Sequence, residues 1–268
     1  MNEAVSADMR VIIKQRLKEI ETEEGVRILF AIESGSRAWG FHSEDSDYDV
    51  RFVYARPREW HYRIGKKRDV IERPIDDELD ISGWELGKAL DLALGSKAVI
   101  AEWLQSPIRY CEMPEAVSQL TQFAKQALNR KSVTWHYISL QKRQASRVYA
   151  PDGSLRVKRW FYILRPALAL RWMRLNDASV PQMNMAELRA GCDLDASLSD
   201  EIDALLRMKM AAHEKATMTN VDPRLEALVK GELEQAMAWV KTAAKEASTE
   251  LRQRASDLHL SLSESACD

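Results

Sequence analysis

Gly35-Ser36-Arg37-Ala38-Trp39-Gly40-Phe41-His42-Ser43-Glu44-Asp45-Ser46-Asp47-Tyr48-Asp49-Val50 joins two apolar runs through a Gly-Ser turn and a pair of alternating aspartates. The first run is Ile28 to Ile32; the second begins at Tyr48. In a strand, residues i and i+2 point to one face, so Asp47 and Asp49 project together. Tyr48, Val50 and Phe52 then face the other side, toward a core. Two carboxylates roughly 6–7 Å apart along a strand can share hard divalent cations. Mg2+ takes oxygen ligands and is commonly held by one or two carboxylates plus substrate phosphates. Two such ions, about 3.5–4 Å apart, serve the attacking and leaving oxygens of a displacement. Gly35 and Ser36 supply backbone N–H groups and a hydroxyl suited to β- and γ-phosphate oxygens. Asp-x-Asp alone is usually a solvated strand edge, and Gly-Ser alone an ordinary turn. Together, each at the edge of a strand-like run, they point to a nucleoside triphosphate site with two Mg2+ ions, or Mn2+ in their place.

A third carboxylate extends this reading. In Glu78-Leu79-Asp80-Ile81-Ser82, apolar and polar residues alternate with the period of a half-buried strand. Placed beside the Asp47–Asp49 strand, Asp80 completes a triad that binds metal and helps take a proton from an attacking hydroxyl. The plainer alternative makes Asp80 the polar half of an amphipathic strand. Asp76, Asp77 and Glu78 read as a solvated acidic turn.

The chain has 268 residues with 46% hydrophobic content, enough for a sizeable core and one or two domains. Cys111, Cys192 and Cys267 are far apart, which fits neither a disulfide framework nor a zinc motif. His42, His61, His136, His213 and His259 form no metal-type spacing and read as surface or packing residues, with His136 placed to line a cleft. No apolar run spans a bilayer and no signal core opens the chain, so a cytoplasmic, membrane-free protein is expected.

Residues 7–24 read as a charged amphipathic helix. Strand-like runs follow near 27–33, 48–54, 69–73 and 78–82, with a mobile loop from Arg56 to Arg68. After Gly83 helical patterns dominate: 84–94, 97–105, 114–129, 132–148, 155–175, 183–191, 198–216 and 224–252. Strands first and helices afterwards predict an α+β fold. The expected division is a small mixed-sheet catalytic domain over 1–110, a helical domain over 111–255 and a frayed tail over 256–268, with the boundary near Pro107–Pro114.

Net charge is −2, which gives no general affinity for nucleic acid. Between Gln141 and Arg174, however, nine basic residues stand against the single acid Asp152, a local charge of +8. Such asymmetry steers polyanions to one surface, although a solvated helix face is an equal alternative. The aromatic residues interleaved there pack in a core or stack on a base. Lys158, Tyr162 and Arg165 share one helical face, and Pro166 is expected to kink that helix or start a new one.

The Gly-Ser turn, Asp-x-Asp pair and later Asp resemble the DNA polymerase β-type nucleotidyltransferase superfamily. Four segments carry a closer likeness to the nucleotidyltransferases associated with RNA repair: Glu33 to Gly40, Asp80 to Leu86, Glu102 to Ile108, and Trp160 to Pro166. The resemblance implies a polymerase-β-like catalytic domain that moves NMP from an NTP to an acceptor hydroxyl, with an RNA end as acceptor. It casts Asp47, Asp49 and Asp80 as catalytic metal ligands and Gly35, Ser36 and Arg37 as nucleotide-binding. Arg37 alternatively pairs with Glu44 or Asp45. In similar enzymes a basic residue of the helical domain reaches over the triphosphate, which nominates Lys158 and Arg165, with Tyr162 beside them on the same face as a nucleotide-binding residue. Competing readings are NMP transfer to a protein or small molecule, and a nucleotide-sensing, antitoxin-like regulator without turnover. Glu33 receives no role from the sequence.

Overall fold

The computed structural model describes residues 4–65, 67–75, 78–178, 180–211, 216–243 and 250–265. Asp76, Asp77, His213 and Cys267 lie outside the described residues. In chain order the elements are α1 (Ala7–Glu24), β1 (Arg27–Glu33), α2 (Gly35–Trp39), β2 (Tyr48–Ala55), α3 (Arg58–Tyr62), β3 (Val70–Glu72), β4 (Leu79–Glu85), α4 (Leu86–Leu94), α5 (Val99–Leu104), β5 (Arg109–Glu112) and α6 (Pro114–Ala127). They continue with α7 (Arg130–Ala145), β6 (Leu155–Arg156), α8 (Val157–Asn176), α9 (Met185–Ala190), α10 (Ala196–Ala211), β7 (Thr217–Met218), α11 (Pro223–Thr242) and α12 (Glu250–Ser265).

The chain divides into two compact units. The first comprises Met1–Ala38, Asp47–Leu128 and Ala247–Asp268; the second comprises Trp39–Ser46 and Asn129–Glu246. The expected division near Pro107–Pro114 falls inside the first unit instead. Two elements account for the difference. β5 pairs antiparallel with β1, so the segment read as a boundary is a sheet edge. α6 buries Ala116, Leu120, Phe123 and Ala124 and packs against β1. The stretch from 256 onward, expected to fray, is helical to Ser265 within α12, which packs on α4 and α6.

The first unit is built on a mixed five-stranded sheet, ordered β3-β4-β2-β1-β5. β1 is buried along all but its first residue, as a central strand covered on both faces requires. α1 starts at a Ser6 cap and ends at Gly25 in the left-handed region. Its Ile13, Leu17 and Ile20 join Val50, Phe52, Tyr54, Ile28 and Ile81 in one core. The face expected for Tyr48, Val50 and Phe52 is the buried one.

β2 and β4 run parallel, which requires a crossover between them. The segment 56–78 makes it, carrying the short helix α3 where only a mobile loop was expected. Their register pairs Asp49 with Asp80 and Phe52 with Gly83. Gly83 has a packing reason: a Cβ there would fall 2.2 Å from Phe52 Cε2.

In the second unit, α8 runs unbroken from Val157 to Asn176 through Pro166. Proline removes one backbone donor and ordinarily kinks a helix. Here every residue from Ile163 to Leu170 is buried, so packing around the whole turn holds the helix. The core of this unit gathers Phe161, Leu164, Leu168, Leu188, Ile202 and Leu225. Among the described residues, no helix is long and apolar enough to cross a membrane.

Candidate active site

Asp49 and Asp80 are neighbours across the parallel β2·β4 pair, each half-buried. Their carboxylates converge on one nitrogen: Arg51 Nη2 donates to Asp49 Oδ1 at 3.2 Å and to Asp80 Oδ2 at 2.7 Å. Arg51 Nη1 donates to the carbonyls of Val50 and Asp80, both at 2.9 Å. The guanidinium therefore fixes both carboxylates and offsets their mutual repulsion. Sequence reasoning missed Arg51, although the same i, i+2 rule that aligned Asp47 with Asp49 extends to it. Asp47 is exposed and lies one residue before β2.

The Gly-Ser turn sits against this carboxylate. Gly35 has φ +62°, and a Cβ on it would come within 2.0 Å of Asp49 Oδ2. Only glycine meets both demands, the left-handed backbone and the close approach. Gly35→Ala is expected to cost about 1–2 kcal/mol in backbone strain and to displace the Asp49 carboxylate. Misplacement of a reacting group by about 1 Å costs up to roughly a hundredfold in rate. Rate measurements beside thermal melting check this; an alanine variant with unaltered rate would show that the close approach does not matter.

Behind the site stands Glu33, fully buried at 0% relative exposure. Its Oε1 accepts the Asp49 backbone N–H at 2.7 Å, and its Oε2 accepts the Tyr110 hydroxyl. Ser34 N–H donates to the Asp49 carbonyl at 2.8 Å, and Ser106 Oγ donates to the Glu33 carbonyl at 2.7 Å. The β2 segment bearing Asp49 is thus held on both its N–H and its C=O. Burial pushes the Glu33 carboxyl up to about 7, outweighing the hydrogen bonds from Tyr110 and the Asp49 amide; the Asp49 charge pushes the same way. Burial and Glu33 also push the Tyr110 phenol up.

The other expected binding residues are placed differently. Arg37 is buried. Its Nε donates to the Asp47 carbonyl at 3.2 Å, its Nη1 donates to the Ala4 carbonyl at 2.7 Å, and its guanidinium lies 3.7 Å from the Tyr48 ring centroid. It braces the backbone entering β2 rather than pointing into solvent. Ser36 is buried at 7%. Tyr162 and Arg165 do share a face of α8, and both meet Trp39. Tyr162 packs edge-on at 5.5 Å, and the buried Arg165 guanidinium lies 4.6 Å from the indole centroid. Arg165 Nη2 also donates to the Met183 carbonyl at 3.2 Å. Lys158 is half-buried near the start of α8.

The +8 segment is likewise divided by its partners. Arg171 and Arg174 both pair with buried Glu232, at 3.0 and 2.6 Å, and Arg171 Nε donates to the Cys192 carbonyl at 2.5 Å. These two arginines hold the fold of the second unit. Lys142, Arg143 and Arg147 remain exposed on and just after α7. His136 packs edge-on against Tyr137 in α7.

Three of the segments behind the family resemblance meet in the first unit. Trp84 stacks on Trp103 at 4.0 Å, and Ser106 bonds the Glu33 carbonyl. The model of the RNA repair pathway DNA polymerase beta family matches residues 9–259. The protein YcgL of Bacillus subtilis strain 168 is 38% identical over 251 residues, covering 94% of each chain. A solved nucleotidyltransferase-like protein from Exiguobacterium sibiricum 255-15 aligns with 94% of this chain and 89% of its own at 10% identity, with a TM-score of 0.29.

Proposed function

Because this chain belongs to the RNA repair pathway DNA polymerase beta family, a family of polymerase-β-type nucleotidyltransferases, we propose that it transfers NMP from an NTP to a hydroxyl at an RNA end. The observation that carries this reading is the register of Asp49 with Asp80, both bonded to one Arg51 nitrogen and flanked by Gly35. The acceptor oxygen forms a bond to the α-phosphorus as the α–β bridging bond breaks, and pyrophosphate leaves with that electron pair. Asp80 receives the acceptor proton. Arg51 keeps the two carboxylates oriented, and Gly35, lacking a Cβ, lets the Asp49 carboxylate lie against its main chain.

Asp49 and Asp80, neighbours on β2 and β4, would hold a divalent cation, with Asp47, one residue before β2, as the proposed third ligand. Carboxylates are oxygen-only donors, and Asp49 Oδ2 lies packed against the Gly35 main chain. A bound Mg2+ would neutralise triphosphate charge and acidify the acceptor hydroxyl. RNA as acceptor is favoured by the family's place in RNA repair and by the exposed cations Lys142, Arg143 and Arg147, which suit phosphate.

The test is incubation with each α-labelled NTP, Mg2+ and an RNA pool, followed by identification of the labelled species. Labelled RNA is expected, and a 3′-phosphate on the RNA should stop labelling if transfer occurs at the 3′ end. Labelled protein in RNase-treated extract, with unlabelled RNA, would establish protein modification instead. Nucleotide binding without pyrophosphate release would reduce the protein to a sensor.

A further inference from the structure

Two of the five histidines that form no motif in the sequence meet in the first unit. His61 of α3, Glu85 at the end of β4 and His259 of α12 bring their ligand atoms within 4.8 Å of one another. Their spacing along the sequence, read as that of surface or packing residues, gave no sign of this meeting. We propose that His61, Glu85 and His259 form a second metal site, separate from the aspartates, which takes Zn2+ or a similar borderline divalent transition metal.

Three features of the cluster support this assignment. The donor set is two imidazoles and one carboxylate, a combination that binds zinc and leaves a fourth tetrahedral position for water. Imidazole nitrogen suits transition metals, whereas Mg2+ prefers the all-oxygen set of Asp47, Asp49 and Asp80. His61 Nε2 is buried without a hydrogen-bond partner, a state that ordinarily costs about 1–3 kcal/mol. A neutral imidazole with its proton on Nδ1 presents the Nε2 lone pair to a ligand.

Glu85 is oriented in the same manner. Its Oε2 accepts the Gly87 N–H at 2.7 Å as the cap of α4, which turns Oε1 toward His259 Nε2 at 3.2 Å. The carboxylate is 5% exposed, and an ion would supply charge that a neutral histidine does not. The imidazoles meet edge to face with centroids 4.9 Å apart. Lys67 donates to the His61 carbonyl on the main chain, not to the ring. Since the three donors come from three elements, the ion would fasten α12 to the β4–α4 junction and α3.

The test uses the full chain, stripped with chelator and titrated with Zn2+ alone. The wild type is expected to retain one equivalent through gel filtration and elemental analysis and to melt at higher temperature with zinc than without. Co2+ should give the absorption of a four-coordinate site. Loss of an outer-shell partner already weakens metal sites by about ten- to a hundredfold, so His61→Ala and His259→Ala should each weaken Zn2+ binding at least that much. Circular dichroism checks that each variant is folded. Asp49→Asn should keep the full equivalent. If wild-type protein holds no zinc, the proposal fails whatever the variants do. It fails equally if the histidine variants bind zinc as the wild type does, or if Asp49→Asn alone releases it.

Discussion

Asp49→Asn and Asp80→Asn are each expected to lower NMP transfer on the order of a thousandfold, since charge stabilisation at such a site is worth several kcal/mol and about 1.4 kcal/mol is tenfold in rate. Asparagine keeps the shape of the side chain and removes the charge that offsets a divalent ion. It also leaves Arg51 Nη2 with one carboxylate where it now has two. Melting temperature should change little, because both carboxylates are half-exposed, at 30% and 31%. Asp47→Asn should behave alike if its carboxylate joins the same ions. The measurement is transfer of α-labelled NMP at saturating NTP beside thermal melting. Near-native turnover in both the Asp49 and Asp80 variants would remove the aspartates from the chemistry.

Glu33→Gln should change how stability depends on pH. The Glu33 carboxyl stands at about 7 in the fold against 4.5 when solvated, chiefly through burial. Between those values the folded state binds more protons than the unfolded one, so stability falls as pH rises. The contribution is fully present below pH 4.5 and lost as pH passes 7. Its size over that window is about 3 kcal/mol, at about 1.4 kcal/mol for each pH unit. Gln keeps a carbonyl for the Asp49 N–H and an amide for the Tyr110 hydroxyl, and it cannot ionise. Urea denaturation in EDTA, from pH 4.5 to above 7, should show the wild type losing stability relative to the variant. Parallel pH profiles would mean that Glu33 ionises freely in the fold.

The legible part of this protein is local. Alternation in Tyr48–Phe52 and Leu79–Ile81 assigned faces to Asp49 and Asp80 correctly, because side-chain direction along a strand is a property of the strand alone. The periods of α1, α6 and α8 were equally readable. β5 was not: Arg109–Glu112 is four residues with one buried side chain, and only its pairing with β1 makes it a strand. Glu33 received no role, since nothing nearby in sequence announces Tyr110 as its partner or Asp49 as the residue it holds.

The charges show the same limit. Nine basic residues between 141 and 174 read as one surface, yet Arg171 and Arg174 are committed to Glu232 on α11, and Arg165 to Trp39 and Met183. Composition counts charges, while the partner that neutralises each one comes from a distant segment. The sequence by itself determined the α+β class, the family and the alternating aspartates, all of which follow from order along the chain. Tertiary structure alone decided that β2 and β4 lie parallel with Asp49 opposite Asp80, that Arg51 joins them, and that His61 and His259 meet at Glu85. Each of these is a contact between segments far apart in sequence, fixed by burial of apolar faces that no single segment can satisfy on its own.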